Sequence, residues 1–198
     1  MKKIKLYALR GLTRDYSSFC QTNYESLDES ILRKVIEEQC WKGFDLNNFN
    51  IPEFSLCSSD SGKKNYQFDI SSSSCPFFIF SEDAIEKLVH ILKPRGQILP
   101  IITSSKRKKY MGYYPTNPLV NMIDIEKSGI DNEYLETFGI KEINKLHLKQ
   151  KAKLDDYIIC FSEDRAKVFV TEKFRNEVEQ AGLKGFDFIY TKVEITVL

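Results

Sequence analysis

Two histidines set a narrow limit on the chemistry this chain could perform. His90 and His147 are its only imidazoles, and a serine or cysteine nucleophile usually needs one as its base. His90 falls beside the apolar stripe of a helical stretch, and His147 lies in the strand-like KLHLK. Both read as structural or surface side chains. No serine stands on a sharp glycine-flanked turn, and Cys75, just before Pro76, is no better placed. The sequence contains no GxGxxG, no GxxxxGK followed by Ser or Thr, no HExxH and no GxSxG. Adjacent acids occur as Glu82/Asp83, Asp155/Asp156 and Glu163/Asp164. Such pairs are ordinarily turn or first-turn residues, and nothing in the sequence makes one pair converge as glycoside hydrolysis or metal-assisted cleavage demands. Catalysis is not expected, and no cofactor is implied.

The residues suited to binding are more informative. Five cysteines (Cys20, Cys40, Cys57, Cys75, Cys160) are an odd number, widely spaced, with no CxxC. A zinc site normally brings two ligands close in sequence, so no metal is expected, and the cysteines read as isolated reduced thiols acting as small hydrophobes. SSKRKKYMGYYP interleaves Lys106, Arg107, Lys108 and Lys109 with Tyr110, Tyr113 and Tyr114. That combination can hold phosphates and stack bases; a solvated loop leading into a strand with packed tyrosines is the simpler expectation. Charge also separates into blocks. Residues 124–136 carry five acids against Lys127, and residues 141–153 carry five lysines against Glu142. The expectation is that they compensate each other across a hairpin.

Elements to position these residues follow from periodicity. Residues 3–9 alternate Ile4, Leu6 and Ala8 with polar neighbours, a half-buried strand pattern. Ser26 and Glu29 have the spacing of a capping box before Leu32, Val35 and Ile36. IPEFSL and NYQFDI read as short strands, and Ser71 to Ser74 as a loop or linker. FFIF is an apolar strand; Ser81 caps the next helix, Glu82 and Asp83 fill its first turn, and Ile85, Leu88, Val89 and Leu92 form its face. QILPIIT is a strand interrupted by Pro100. KYMGYY, LVNMIDI, KEINKLHL and YIICF are further strands. The ending repeats the same order: strand KVFV, Thr171 as cap, a helix with Phe174 and Val178 on one stripe, Gly182 as its stop, then a strand with alternating Phe186, Phe188 and Tyr190. The fold class expected is α+β, with mixed or antiparallel sheets and a few packed helices. The chain divides into 1–75 and 76–198, or forms one continuous domain.

Bulk properties narrow the function classes. With 42% hydrophobic residues the chain can fill a core. Lys+Arg 29 against Asp+Glu 28 leaves a net charge of +1, without the basic excess of a dedicated nucleic-acid binder. Arg10 and Arg14 interrupt any signal-peptide-like apolar stretch near the start, and no run approaches a bilayer span. A cytoplasmic protein is expected, with neither a membrane nor nucleic acid as partner.

Three stretches carry a family likeness: PFFIFSEDAIEKLVHILKPRGQILPI, LVNMIDIEKSGID, and KVFVTEKFRNEVEQAGLKGFDFIYTKV with its Gly182, Leu183, Gly185, Phe186 and Phe188. Together they resemble bacterial immunity proteins encoded beside polymorphic or contact-dependent growth inhibition toxins. The likeness runs from about Pro76 to Val193; many relatives carry a tryptophan near the end, a neighbourhood that Tyr190 occupies here. What it implies is an antidote that binds a cognate toxin domain in the cytoplasm and blocks it by occlusion, with the matched residues acting as fold determinants. Asp124, Asp131 and Glu133 are the docking residues expected on that reading. The alternatives are an enzyme of unrecognised type, such as a nuclease or hydrolase, and a nucleic-acid-binding accessory protein using Lys106 to Tyr114.

Overall fold

The computed structural model describes residues 5–23, 25, 30–131, 142–149, 154 and 156–195. Along the chain come β1 (Leu6–Gly11), β2 (Ser18–Gln21), α1 (Ile31–Arg33) running into a π-helical segment (Lys34–Gln39), β3 (Glu53–Cys57), β4 (Ile70–Ser74) and β5 (Phe77–Ser81). Next are α2 (Glu82–Leu92), β6 (Gly96–Leu99), β7 (Ile102–Thr103), β8 (Tyr110–Pro115), β9 (Gly129–Asp131) and β10 (Glu142–Leu148). The last are β11 (Ile158–Phe161), β12 (Asp164–Thr171), α3 (Glu172–Gln180), β13 (Phe186–Thr191) and β14 (Val193–Ile195). They form four sheets, ordered β11-β12-β1-β13, β4-β5-β8-β6, β2-β3-β7 and β14-β10-β9. Only β3–β7 and β10–β14 pair in parallel among the described strands, so the fold is α+β with mostly antiparallel pairing.

β1 shows why. Leu6, Tyr7, Ala8 and Leu9 are all buried, as befits a strand with both faces covered. Tyr7 and Leu9 join a large core with Phe77, Phe80, Tyr113, Tyr114 and Phe174. Leu6 and Ala8 join a smaller one with Ile123, Leu146, Leu148, Phe161 and Phe169. The first strand thus sits between β12 and β13, near the chain's end, and residues on both sides of position 75 fill the larger core.

The strand–cap–helix units form as local rules dictate. Ser81 Oγ accepts from Ala84 N at 3.1 Å, with Glu82 and Asp83 in the first turn of α2. The buried face of α2 is Ala84, Ile85, Leu88, Ile91 and Leu92; Val89 stands out to solvent, so the face is rotated from the one expected. Thr171 precedes α3, but its hydroxyl donates to Asp156 O at 2.7 Å instead of capping. Gly182 (φ +66) stops α3 in the left-handed region, as expected. Gly185 (φ +83) is needed twice over, since a Cβ there would also lie 3.0 Å from Phe68 Cβ.

Other expectations need correction. Ser71 to Ser74 is not a loop but most of β4. Its hydroxyls explain the difference: Ser71 Oγ accepts from Phe19 N, Ser73 Oγ donates to Phe19 O, and Ser72 Oγ accepts from Gly11 N. Serine side chains here tie β4 to the backbones of β2 and β1. NYQFDI is extended strand only from Ile70. LVNMIDI makes just the isolated bridges Leu119↔Phe161 and Ile123↔Leu148 among the described residues, with left-handed Asn121 breaking the run and left-handed Asn117 just before it. The 26–29 capping box lies outside the described residues.

The cysteines also depart from expectation. Cys20 and Cys57 are joined in a disulfide across β2 and β3, Cα atoms 6.1 Å apart, while Cys40, Cys75 and Cys160 are free. Pairing of β2 with β3 sets Cys20 opposite Ser55 and Ser18 opposite Cys57, so the half-cystines lie diagonally across one ladder, which residue spacing cannot reveal. Closing a loop with 37 residues of sequence separation is expected to contribute about 2–4 kcal/mol. Denaturant titration with and without reductant should show that loss. A thiol count of five in denaturant without reductant would show the bridge absent.

Candidate interaction surface

A cleft of about 650 Å³ is bounded by the π-helical segment and by residues 44–52. Its shape starts at an irregular helix end. Cys40 (φ 45) and Trp41 (φ 71) are consecutive left-handed residues without being glycine, a conformation costing about 1–3 kcal/mol each. The surroundings hold them there. The Trp41 ring is buried and stacks on Tyr114, centroids 6.1 Å apart and planes 6° from parallel. Trp41 N donates to the Tyr114 hydroxyl at 2.6 Å, and that hydroxyl donates to Val35 O at 3.2 Å. Burial pushes the Tyr114 phenol well up, so it stays protonated and able to donate.

The Gln97 side chain fixes the next residues. Its Oε1 accepts from Phe44 N at 2.6 Å and its Nε2 donates to Phe44 O at 3.0 Å, a side-chain substitute for a neighbouring strand. Asp45 then turns the chain, accepting from Asn47 N at 3.0 Å and Asn48 Nδ2 at 2.6 Å. On the opposite side, Asn23 continues the β2–β3 ladder by donating to Ile51 O and accepting from Glu53 N. The cleft that results has Phe44, Phe49 and Ile31 at its base and Lys34, Gln39 and Asn50 around it. Leu46 is 62% exposed and Ile51 43%, and Ile102 on the adjoining edge strand β7 is 51% exposed. Aliphatic side chains at a concave, amide-bearing surface suit contact with another protein.

The residues singled out from sequence fall elsewhere. Asp124 is committed to its own turn: its Oδ1 accepts from Lys127 N at 3.3 Å, its Oδ2 lies 3.5 Å from Lys127 Nζ, and its N donates to His147 O. Asp131 has its backbone on β9 opposite Glu142; its side chain and all of Glu133 lie outside the described residues. β9 pairs with β10 so that Asp131 lies opposite Glu142, and the described lysines of the basic block find other partners. Lys145 reaches Glu194 at 3.2 Å, and Lys149 Nζ donates to Asn121 Oδ1 at 2.5 Å. Hydrogen bonds from Lys192 and Lys145 push the Glu194 carboxyl down to about 2. His147 also lies 3.1 Å from Glu194, whereas His90 is 3.8 Å from Glu177 and edge-on to Tyr157. Cys75 Sγ donates to Ala166 O at 3.4 Å. Among the described residues, no three His, Cys, Asp or Glu side chains group as metal ligands would.

The tyrosines of the basic stretch pack as expected. Tyr110, Tyr113 and Tyr114 are all buried in the larger core. Sequence reasoning missed the cleft because its walls depend on Gln97 and Tyr114, each more than fifty positions from the backbone it holds. The one local signal was DLNN, whose Asp45 side chain builds the turn. No protein-family profile matches the chain, and no curated protein is similar to it.

Proposed function

We propose that the chain is an immunity protein: it binds a cognate bacterial toxin domain in the cytoplasm and silences it by occlusion, through the cleft at residues 44–52. One observation carries the reading, a division of labour along the chain. The stretches with the family likeness pack on one another: Phe80 stacks on Phe186 with centroids 5.8 Å apart, and Lys184 N donates to Asp69, which in turn accepts from Ser81. They build scaffold. The residues lining the cleft lie within 21–52, outside those stretches, and its exposed positions Leu46 and Ile51 can change with the partner while the buried Ile31 and Phe44 beneath them stay in the core. Affinity at such a surface comes from a few buried anchors more than from net charge, in keeping with a net charge of +1.

The test is co-expression with the toxin domain encoded beside this gene. A tight complex on co-purification and recovered growth of the host are the expected results. A toxin left fully active by a stoichiometric excess of this chain overturns the reading. No helix among the described residues is long and apolar enough to cross a membrane. Disulfides persist in oxidising compartments, so the Cys20–Cys57 bridge bears on location: protein alkylated in denaturant at the moment of lysis should carry five alkylated cysteines if it works in the cytosol, and three if it works outside.

A further inference from the structure

Another concavity, about 620 Å³, has Asn65, Tyr66 and Gln67 as one wall and the loop 104–108 as the other. This size falls in the range of small-ligand sites, roughly 300–1,000 Å³. The loop is anchored through Ser105 and Lys108. Ser105 Oγ accepts from Lys108 N at 3.2 Å, and Lys108 turns inward, donating to Phe68 O at 2.7 Å and Asp69 Oδ1 at 2.6 Å. With Lys108 spent on that anchor, Lys106 and Arg107 are presented outward, exposed and unpaired among the described residues. Lys64 and Lys184 are exposed on the flanks, and the Lys109 ammonium lies 3.7 Å from Glu82 with most of its surface in solvent. The nearest buried acid, Asp69, is already satisfied by Lys108, so the surface is locally cationic although the chain is nearly neutral.

The opposite wall adds a ring and two amides. Tyr66 is half-buried, tilted against Phe19 and Tyr110 at 6.1 and 6.4 Å on its inner side, and its hydroxyl meets Ser104 Oγ at 2.9 Å. Asn65 Oδ1 accepts from Gln67 N, which leaves the Asn65 NH₂ and the Gln67 side-chain amide unengaged among the described residues. Cations beside a fixed aromatic wall, with amide donors and acceptors between, match a nucleotide whose base is out of a duplex. An acidic protein face would need the cations but not the walled ring.

We propose that this cleft binds single-stranded nucleic acid, with Lys106 and Arg107 on the phosphates and the Tyr66 ring under a base. The proposal stands independently of the toxin-binding reading and is tested without a toxin. Fluorescein-labelled oligo(dT) and oligo(rU) are titrated by anisotropy at several salt concentrations. Lys106→Glu/Arg107→Glu is expected to lower affinity at least ten-fold and to flatten the log–log salt slope by about 1.4, from two lost contacts at about 0.7 each for single strands. Tyr66→Leu is expected to lose roughly five-fold or more in affinity with the salt slope unchanged. The control Lys42→Glu/Lys93→Glu changes charge equally on exposed positions elsewhere and should bind as the parent does. Because Tyr66 packs against the core, a 4-thiouridine oligonucleotide is also cross-linked to the unaltered chain; adducts should map to residues 65–67. Absence of binding at low salt overturns the site, as does equal loss in the control, equal competition by duplex DNA, or cross-links elsewhere.

Discussion

Replacing Asp69 with alanine is expected to cost about 3–5 kcal/mol of stability, the range for leaving one member of a buried ion pair uncompensated. Asp69 is 7% exposed and holds four parts of the chain together. Its Oδ1 accepts from Ser81 Oγ at 2.7 Å and Lys108 Nζ at 2.6 Å, and its Oδ2 from Lys184 N at 2.7 Å. Its backbone N donates to Lys184 O, and its carbonyl accepts from Ser81 N. The start of α2, the basic loop and the turn after Gly182 all converge here. Because the Lys108 side chain keeps 30% of its exposure, the lower end of the range is the better expectation. Urea unfolding at neutral pH measures it, and Asp69→Ala/Lys108→Met should recover part of the loss by removing the stranded ammonium. A single Asp69→Ala variant as stable as the parent would show the carboxylate to be dispensable.

The same group gives a pH dependence with a definite sign. Burial alone would push the Asp69 carboxyl up, but hydrogen bonds from Lys108, Ser81 and the Lys184 amide together hold it below its usual value. A depressed folded-state pKa means the unfolded chain binds the proton more readily. The stabilisation is therefore complete above the unfolded value, about 3.9, and is lost as pH falls through the folded one. Stability of the parent should decline toward acid by a component that Asp69→Asn lacks.

Asp69 also marks where sequence reasoning stops. The units FFIF–Ser81–α2 and KVFV–α3–Gly182–β13 were legible because each obeys rules acting within a few residues: an apolar run, a cap, a stripe, a glycine stop. NYQFDI looked like a strand because Tyr66, Phe68 and Ile70 alternate with polar residues. Asp69 is drawn inward to Lys108 and Lys184, so the residues before Ile70 bond to distant elements instead of a neighbouring strand. Ser71 to Ser74 misled in the opposite direction, since four serines suggest solvent but the hydroxyls of the first three bond to the backbones of Phe19 and Gly11. The candidate site was less legible still. Leu46 and Ile51 carry no signal by themselves, Tyr66 was hidden by the more conspicuous Tyr110, Tyr113 and Tyr114, and the acids that attracted notice include Asp124, which builds its own turn. Long-range pairing decided each of these.

Changing Leu46 and Ile51 together to aspartate is expected to weaken toxin binding by about 100-fold, roughly 2.7 kcal/mol, with little effect on unfolding. Leu46 is mostly exposed and Ile51 nearly half exposed, so in the free chain the new charges can reach water and each change should alter stability by no more than about 0.5 kcal/mol. In a complex they would be desolvated against the partner, and a buried unpaired charge is far costlier than the apolar contact it replaces. Calorimetry against the toxin domain, with thermal unfolding of the variant alone, separates the two effects. The competing docking face predicts another pattern: neutralising Asp124, Asp131 and Glu133 together would slow association through lost electrostatic steering. A slowed rate in that triple variant, with unchanged affinity in the Leu46/Ile51 pair, would move the interface from the 44–52 cleft to the acidic segment, because lost steering is read mainly in association and a charge buried by the partner mainly in dissociation.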